Sequence, residues 1–370
     1  MEKQSFYGFR EKGGKKFQSF ALEIVAGCQL KCGNCYRSPE TAGGLMPDGF
    51  VREAIAAAAA AGFSESVLIG GEPTLHKGLP EFVRLSLELG LAPIICTNGI
   101  RLADEAFAEA VAQAGATIVI HGLLPMPRKE MDRHVGMKGY SEILKKAYAN
   151  LDRLRGPRKI TIVAEAVIIR PFLPYLPEFH AWCRSNGYIP FLEINRRGND
   201  GRANGLSALP EEVSSLFEEL QAFDRRNFPE LADPLLTPPA YGNKCTMSIT
   251  GVHIKNFGKG DYGQVYSCCA QTVSHGNLRE RPLEAILAGG TLAVFKDQDR
   301  WIAGPCRECH HYPVCRGGCR GEASLAFGCA RASCPACWLI PEEVRGDASL
   351  MMPATCAGCP LEDRGCRPKR

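Results

Sequence analysis

Thirteen of the chain's eighteen cysteines fall between Cys245 and Cys366. A segment so rich in cysteine, proline and glycine cannot build a large apolar core alone, so its order has to come from what its thiols bind. Disulfides would require an oxidising compartment. No N-terminal stretch combines a basic region with a long apolar run, as a secretory signal does. Thiols at short spacing in a reducing compartment point to metal. Three more cysteines, Cys28, Cys32 and Cys35, sit near the N-terminus, and only Cys96 and Cys183 stand apart, as buried structural thiols.

The N-terminal group reads Cys28-x₃-Cys32-x₂-Cys35 and directly follows an apolar run. Iron–sulfur cubes are normally held by four cysteines, so three at this spacing leave one iron open for a small molecule. The competing reading is a zinc knuckle, because C-x₂-C pairs are common in zinc sites.

Between residues 20 and 223, short β-branched runs alternate with helical periods. Strands are expected at 20–25, 66–69, 93–96, 117–120, 160–169 and 190–194, and helices at 49–61, 79–89, 103–114, 141–154, 174–186 and 210–223. The alternation predicts right-handed βαβ units and a parallel sheet. Six units fall short of the eight that close a full barrel, so the expected fold class is α/β, a partial (β/α)6 TIM-like barrel followed by a small Cys-rich domain. Functional groups in such folds sit at the carboxyl ends of strands. Cys28 follows the first strand, Gly70-Gly71-Glu72-Pro73 the second and Thr97-Asn98-Gly99 the third.

The cysteine triplet together with Gly70-Gly71-Glu72-Pro73 resembles the signature of the radical S-adenosylmethionine (SAM) superfamily. The resemblance implies that the open iron chelates SAM and that one electron from the cluster cleaves it to methionine and a 5′-deoxyadenosyl radical, which takes hydrogen from substrate. It implies SAM contacts from Gly70, Gly71, Glu72, Pro73 and Asn98, with Asn34 and Tyr36 beside the third cysteine, Glu165 on the fifth strand and Leu192 on the sixth. For Glu165 the alternative is an ion pair inside the barrel, and for Leu192 plain core. The family usually has an aromatic residue before its third cysteine, where this chain has Asn34. The fourth strand often ends in serine, where this chain reads Ile120-His121.

Cys306-x₂-Cys309-x₅-Cys315-x₃-Cys319, preceded by Cys245, Gly263-x₄-Cys268 and the stretch Gly276 to Leu283, resembles the SPASM domain. That resemblance implies two auxiliary 4Fe–4S clusters. Cys245, Cys268 and Cys319 would serve the first. Cys306, Cys309 and Cys315 would serve the second, closed by Cys337 or else Cys334. The first is one ligand short, so either Cys269 supplies it or an iron stays open for substrate. Cys269 also stands where sulfatase-maturing relatives carry a proposed catalytic aspartate, so it is a candidate catalytic residue as a hydrogen donor. Zinc at these cysteines is the competing reading.

The expected organisation is an N-terminal extension at 1–17, the radical SAM core at 18–225, a linker at 226–243, the SPASM domain at 244–340 and a Cys-rich tail at 341–370. In the tail, Cys334-x₂-Cys337 and Cys356-x₂-Cys359 have zinc-ribbon spacing, which leaves three readings: a structural zinc, a third auxiliary cluster or a lid on the second. The net charge of +4 gives no reason to expect nucleic acid or membrane as partner, and a cytoplasmic location follows by default. The resemblance implies an electron donor such as flavodoxin or ferredoxin, and a peptide or protein substrate. The alternative is a small molecule, as in tetrapyrrole or cofactor tailoring. Too few residues precede the first strand for a fused leader-binding domain. A non-catalytic metal-binding or electron-transfer protein is the reading from another class.

Overall fold

The computed structural model describes residues 18–37, 43–112, 115–124, 126–195, 205–231 and 249–362. Cys245 and Cys366 lie outside the described residues, as do the extension at 1–17 and most of the expected linker. The first half alternates β1 (Ser19–Val25), α1 (Asp48–Ala60), β2 (Glu65–Gly70), α2 (Leu79–Glu88), β3 (Ala92–Thr97), α3 (Glu105–Ala112), β4 (Thr117–His121), α4 (Arg128–Val135), α5 (Tyr140–Arg158), β5 (Thr161–Ile168), α6 (Leu176–Ser185), β6 (Ile189–Ile194) and α7 (Pro210–Asn227). All six strands pair in parallel, each with its sequence neighbour. This is the expected partial α/β barrel.

Helix boundaries follow local chemistry. The α5 helix begins after Gly139, whose φ of 82° suits glycine, and the Asp132 carboxylate accepts from the Gly139 and Tyr140 amides at 2.6 and 3.0 Å. At α7 the Glu212 carboxylate accepts from the Leu209 amide at 2.6 Å, closing the first turn. The α4 helix was not expected, because its polar sequence shows only Met131 and Val135 as apolar anchors.

The cysteine-rich half contributes more regular structure than its composition suggests. It contains β7 (Val252–Gly258), β8 (Asp261–Tyr266) and β9 (Gly276–Asn277), then α8 (Leu283–Leu287), α9 (Gly290–Lys296), α10 (Gln298–Trp301), α11 (Tyr312–Cys315), α12 (Arg320–Phe327), α13 (Glu342–Arg345) and α14 (Ala348–Met351). β7 pairs in parallel with β1, and the β7–β8–β9 hairpins extend the barrel sheet to nine strands in the order β6-β5-β4-β3-β2-β1-β7-β8-β9. The two halves therefore share one sheet.

Strand parity sorts the sheet's faces. Leu22, Ile95, Ile118, Ile162, Ala166 and Leu192 belong to the helix-packed core. Residues of the other parity, including Glu23, Cys96, His121, Glu165, Glu193 and Lys255, stand on the inner face. The tail packs back on the cysteine-rich domain: Met351, Met352, Cys359 and Leu361 share an apolar cluster with Cys306 and Cys329. Arg345 reaches Glu211 on α7 at 2.6 Å. Among the described residues no helix is long and apolar enough to cross a membrane.

Candidate active site and iron–sulfur centres

The loop carrying Cys28, Cys32 and Cys35 is held from two sides. From β2, the Gly71 and Glu72 amides donate to the Val25 and Gly27 carbonyls at 2.8 and 2.9 Å, and from α4 the carbonyls of Val135 and His134 accept from Lys31 and Gly33 at 2.9 and 3.1 Å. The His134 ring donates to the Asn34 side-chain oxygen at 2.7 Å, so Asn34 serves the loop's own fastening. A Cβ on Gly70 would stand 2.1 Å from the Val25 oxygen, and one on Gly71 2.2 Å from the Gly27 oxygen. These two glycines admit the cysteine loop's backbone, a closer neighbour than the ligand expected from sequence.

The Glu72 carboxylate is fully buried. It accepts from the Thr74 amide and hydroxyl at 3.0 and 2.6 Å, from the Thr97 hydroxyl at 2.7 Å and from the Asn98 amide at 2.7 Å. Its acceptor capacity is spent inside the protein, so it ties the turn after β2 to the turn after β3. Burial outweighs these bonds and raises its pKa. Pro73 opens the short turn Pro73–Leu75 behind it. Asn98 in turn points its side-chain nitrogen at the Cys28 sulfur, 3.6 Å away, and the Leu30 amide donates to the same sulfur at 3.4 Å.

Cys28 and Cys35 are exposed and Cys32 is partly buried. Burial, then the charges of Cys35 and Cys28, push the Cys32 thiol up to about 12. Burial and the neighbouring sulfurs thus disfavour the Cys32 thiolate until a cation joins it. The donor set and the clamped loop fit a three-cysteine cluster with one open corner.

Below the loop runs a buried polar chain that sequence reading missed. Arg37 pairs with Glu23 at 2.5 Å, His253 on β7 donates to the same carboxylate at 2.8 Å, and the Asn256 amide donates at 3.0 Å. Burial by itself raises the Glu23 carboxyl, but the His253 hydrogen bond and the Arg37 charge outweigh it and bring it down to about 2. Lys255 on β7 is buried, donates to the Gln271 carbonyl at 2.8 Å and lies 4.3 Å from the Tyr266 ring centre. Burial pulls its pKa down, and the charges of Glu23, Cys269 and Cys268 pull it back. The Tyr36 hydroxyl is buried without a hydrogen-bond partner among the described residues, and the charges it feels most are Glu23 and Cys269.

Cys269 thus comes to the inner face, within electrostatic reach of Tyr36, Lys255 and Cys96. Glu165 stands there too, 3.2 Å from its register partner His121, the interior pairing weighed from sequence. Leu192 does not join them. It is 1% exposed, on the opposite parity, in the core beneath the helices, because its register partner Ala166 faces the same way.

In the cysteine-rich domain the thiols fall into two neighbourhoods. Burial and then the charges of Cys337 and Cys306 push Cys315 up to about 12. Burial is also the main cause that holds Cys337 at about 11, with Cys306 and Cys309 as its charged neighbours. Cys306, Cys309, Cys315 and Cys337 are therefore within electrostatic reach of one another, and Cys306 and Cys337 share one apolar cluster. The other gathers at the start of α12, where the Glu322 amide donates to the Cys319 sulfur at 3.5 Å. A Cβ on Gly321 would stand 2.4 Å from the Ala270 Cβ and 3.5 Å from the Cys319 sulfur, so the turn carrying Cys268 abuts Cys319. Among the described residues no three histidine, cysteine or acidic side chains converge on one metal ion.

Residues 22–166 match the model of the radical SAM superfamily, and residues 260–310 match that of an iron–sulfur cluster-binding domain, SPASM. The chain is 26% identical over 334 residues to the PqqA peptide cyclase of Xanthomonas euvesicatoria, covering 87% of this chain and 88% of that one. It is 25% identical over 362 residues to the Fe-coproporphyrin III synthase of Methanosarcina barkeri, covering 86% of each. In fold it resembles anSMEcpe with bound AdoMet and the Kp18Cys peptide (TM-score 0.63, 17% identity, 82% of this chain and 90% of that one) and Streptococcus suis SuiB bound to S-adenosylmethionine (TM-score 0.58, 17% identity, 83% and 74%). The clamped cysteine triplet, the second cysteine group and these matches agree: the chain is an enzyme of the radical SAM superfamily, with a SPASM iron–sulfur cluster-binding domain behind its core.

Proposed function

We propose that the chain modifies a peptide or protein substrate, by hydrogen abstraction at an unactivated carbon. The observation that carries this is the end-to-end likeness to a peptide cyclase, over 87% of this chain and 88% of that one. The likeness to Fe-coproporphyrin III synthase over 86% of each chain favours tetrapyrrole tailoring as the second reading.

Cys28, Cys32 and Cys35 would hold the core cluster, with SAM bound along the backbone after β2 and near Asn98. A cluster held there would supply the electron for reductive cleavage of SAM. Asn98 orients Cys28, Glu72 fixes both turns, and Glu165 and His121 line the inner face toward substrate. Cys268 and Cys319, with Cys245, would serve a first auxiliary cluster, and Cys306, Cys309, Cys315 and Cys337 a second. Cys269, on the inner face, would be the thiol that meets substrate. A flavodoxin- or ferredoxin-type donor would supply electrons. Residues 18–225 form the core and 244–340 the auxiliary domain. Iron and zinc content of the anaerobically purified chain tests the cofactor set: about 12 iron and no zinc is expected for three clusters. Incubation with SAM, reductant and candidate precursor peptides tests the substrate, with mass change in the peptide expected. Turnover of a coproporphyrin alone would select the second reading.

A further inference from the structure

We propose that the cysteine loop after β1 and the α4 helix beside it form the docking surface for the acidic face of a small one-electron carrier protein. This rests on the reading above that Cys28, Cys32 and Cys35 hold the core cluster and that a flavodoxin- or ferredoxin-type donor supplies its electrons. Cys28 and Cys35 are exposed, so the loop can be approached from solvent. The charge around it is one-sided. Lys31 is exposed between the first two cysteines, and α4 with the turn after it adds exposed Arg128, Lys129, Arg133 and Lys138. Loop and helix are one surface. The Lys31 and Gly33 amides donate to the Val135 and His134 carbonyls at 2.9 and 3.1 Å, and a Cβ on Gly136 would stand 3.3 Å from the Lys31 Cβ.

The acids of this stretch are partly buried and engaged within the protein. Asp132 accepts from the Gly139 and Tyr140 amides at 2.6 and 3.0 Å, with Arg128 at 3.9 Å. Glu130 accepts from the Tyr175 hydroxyl at 3.1 Å. Among the described residues Lys31, Lys129, Arg133 and Lys138 have no ion-pair partner. The whole chain carries a net charge of only +4, so the cations gathered here make a local field rather than reflect a general excess. An exposed rim of one sign steers an oppositely charged partner and fixes its orientation. A precursor peptide fits this position less well. Substrate has to reach the inner face at Glu165 and His121, whereas these cations stand on a loop and a helix and none on a strand. An electron carrier has only to approach the cysteine loop itself.

The test uses the full chain, purified anaerobically, and an acidic flavodoxin immobilised as the probe, with association read by surface plasmon resonance. Lys129→Glu, Arg133→Glu and Lys138→Glu together are expected to slow association about tenfold at about 0.01 M ionic strength, where charges act over about 30 Å. The difference should vanish at about 1 M. Lys146→Glu, Arg225→Glu and Arg226→Glu, at exposed positions on α5 and α7, change the net charge equally and are expected to keep the wild-type rate. If the first triple is insoluble, the glutamine substitutions at Lys129, Arg133 and Lys138 are expected to slow association about threefold. Equal slowing by both glutamate triples overturns the inference, and so does no slowing by the α4 triple. Unchanged flavodoxin binding with weakened binding of an acidic precursor peptide also overturns it, by giving the surface to substrate. Dithionite, which needs no docking, is expected to reduce the core cluster of wild type and α4 variant alike. Failure in the variant alone would mean that these charges hold the loop rather than receive a partner, which overturns the inference. Failure in the wild type would overturn the cluster reading itself, a different result from any of these.

Discussion

Asn98, at the end of β3, directs its side-chain amide at the sulfur of Cys28, 3.6 Å away beyond the end of β1. Its backbone amide is held at 2.7 Å by Glu72, and its backbone carbonyl accepts from Tyr140 at 2.7 Å. The residue is fixed at both ends, so the amide is aimed before any ligand arrives. Donors to a cluster sulfur stabilise the reduced state. Asn98→Ala removes one such donor, worth about 1 kcal/mol, while leaving both backbone bonds. The expected result is unchanged iron content and roughly fivefold slower reductive cleavage of SAM, read as 5′-deoxyadenosine formed per minute under dithionite. Loss of iron together with activity would instead make Asn98 a structural prop.

The glycines after β2 make a steeper prediction. Gly71→Ala would press a methyl group to 2.2 Å from the Gly27 oxygen, with the Ala26 oxygen at 2.7 Å. Backbone on both sides cannot yield cheaply, so the cysteine loop must shift. The variant is expected to lose about 4 iron atoms, the core cluster, while keeping the auxiliary ones. Gly49→Ala, where nothing lies within 4 Å, is the matched control and keeps all of them.

Where β1 meets β7, the pH dependence has a defined sign. Glu23 is lowered to about 2 in the folded chain from 4.5 for a free glutamate, so its contribution is complete above pH 4.5 and is lost as pH falls toward 2. The shift corresponds to about 3 kcal/mol. Glu23→Gln leaves Arg37 and His253 without their carboxylate and is expected to cost roughly that much at pH 7. In urea titrations the gap between wild type and Glu23→Gln should close as pH drops from 4.5 to 2. A constant gap would mean that the carboxylate's charge contributes nothing.

Most of the barrel was legible in the sequence because alternating short apolar runs and helical periods carry their own phase. The six expected strands match β1 to β6 to within two residues at either end. β7 was not legible. His253 and Lys255 interrupt its apolar residues, and only the pairing of β7 with β1 shows that His253 is buried against Glu23. The cysteine triplet announced the core site, but its fastening did not: His134 is an isolated histidine on a polar helix, and its bond to Asn34 spans 100 residues. Spacing likewise gave Cys334 and Cys337 as alternatives for one role. The side-chain bonds of Arg320 decide where the segment between Ala330 and Cys337 lies, and no local pattern encodes them.

Leu192 separates packing from binding. As a core residue 1% exposed, its truncation to alanine should cost about 2–5 kcal/mol and leave SAM affinity in the folded protein unchanged. Equilibrium dialysis with SAM, beside a denaturant titration, reads both quantities. A large loss of affinity with little loss of stability would return Leu192 to the SAM contacts that the family resemblance implied.

Arg320 offers the complementary measurement, one of redox rather than folding. A buried positive charge favours the more negative, reduced state of a nearby cluster, so its removal lowers the potential. Arg320→Gln keeps hydrogen-bonding capacity toward the Gly317, Ala330 and Ala332 carbonyls but removes the charge. At fixed poise the reduced fraction of the nearby auxiliary cluster is expected to fall about tenfold, a shift of about 59 mV for a one-electron couple, measured by EPR-monitored redox titration. Arg320→Lys should restore most of it. Equal potentials in the glutamine and lysine variants would show that the guanidinium acts only as a clamp, because the two differ in charge.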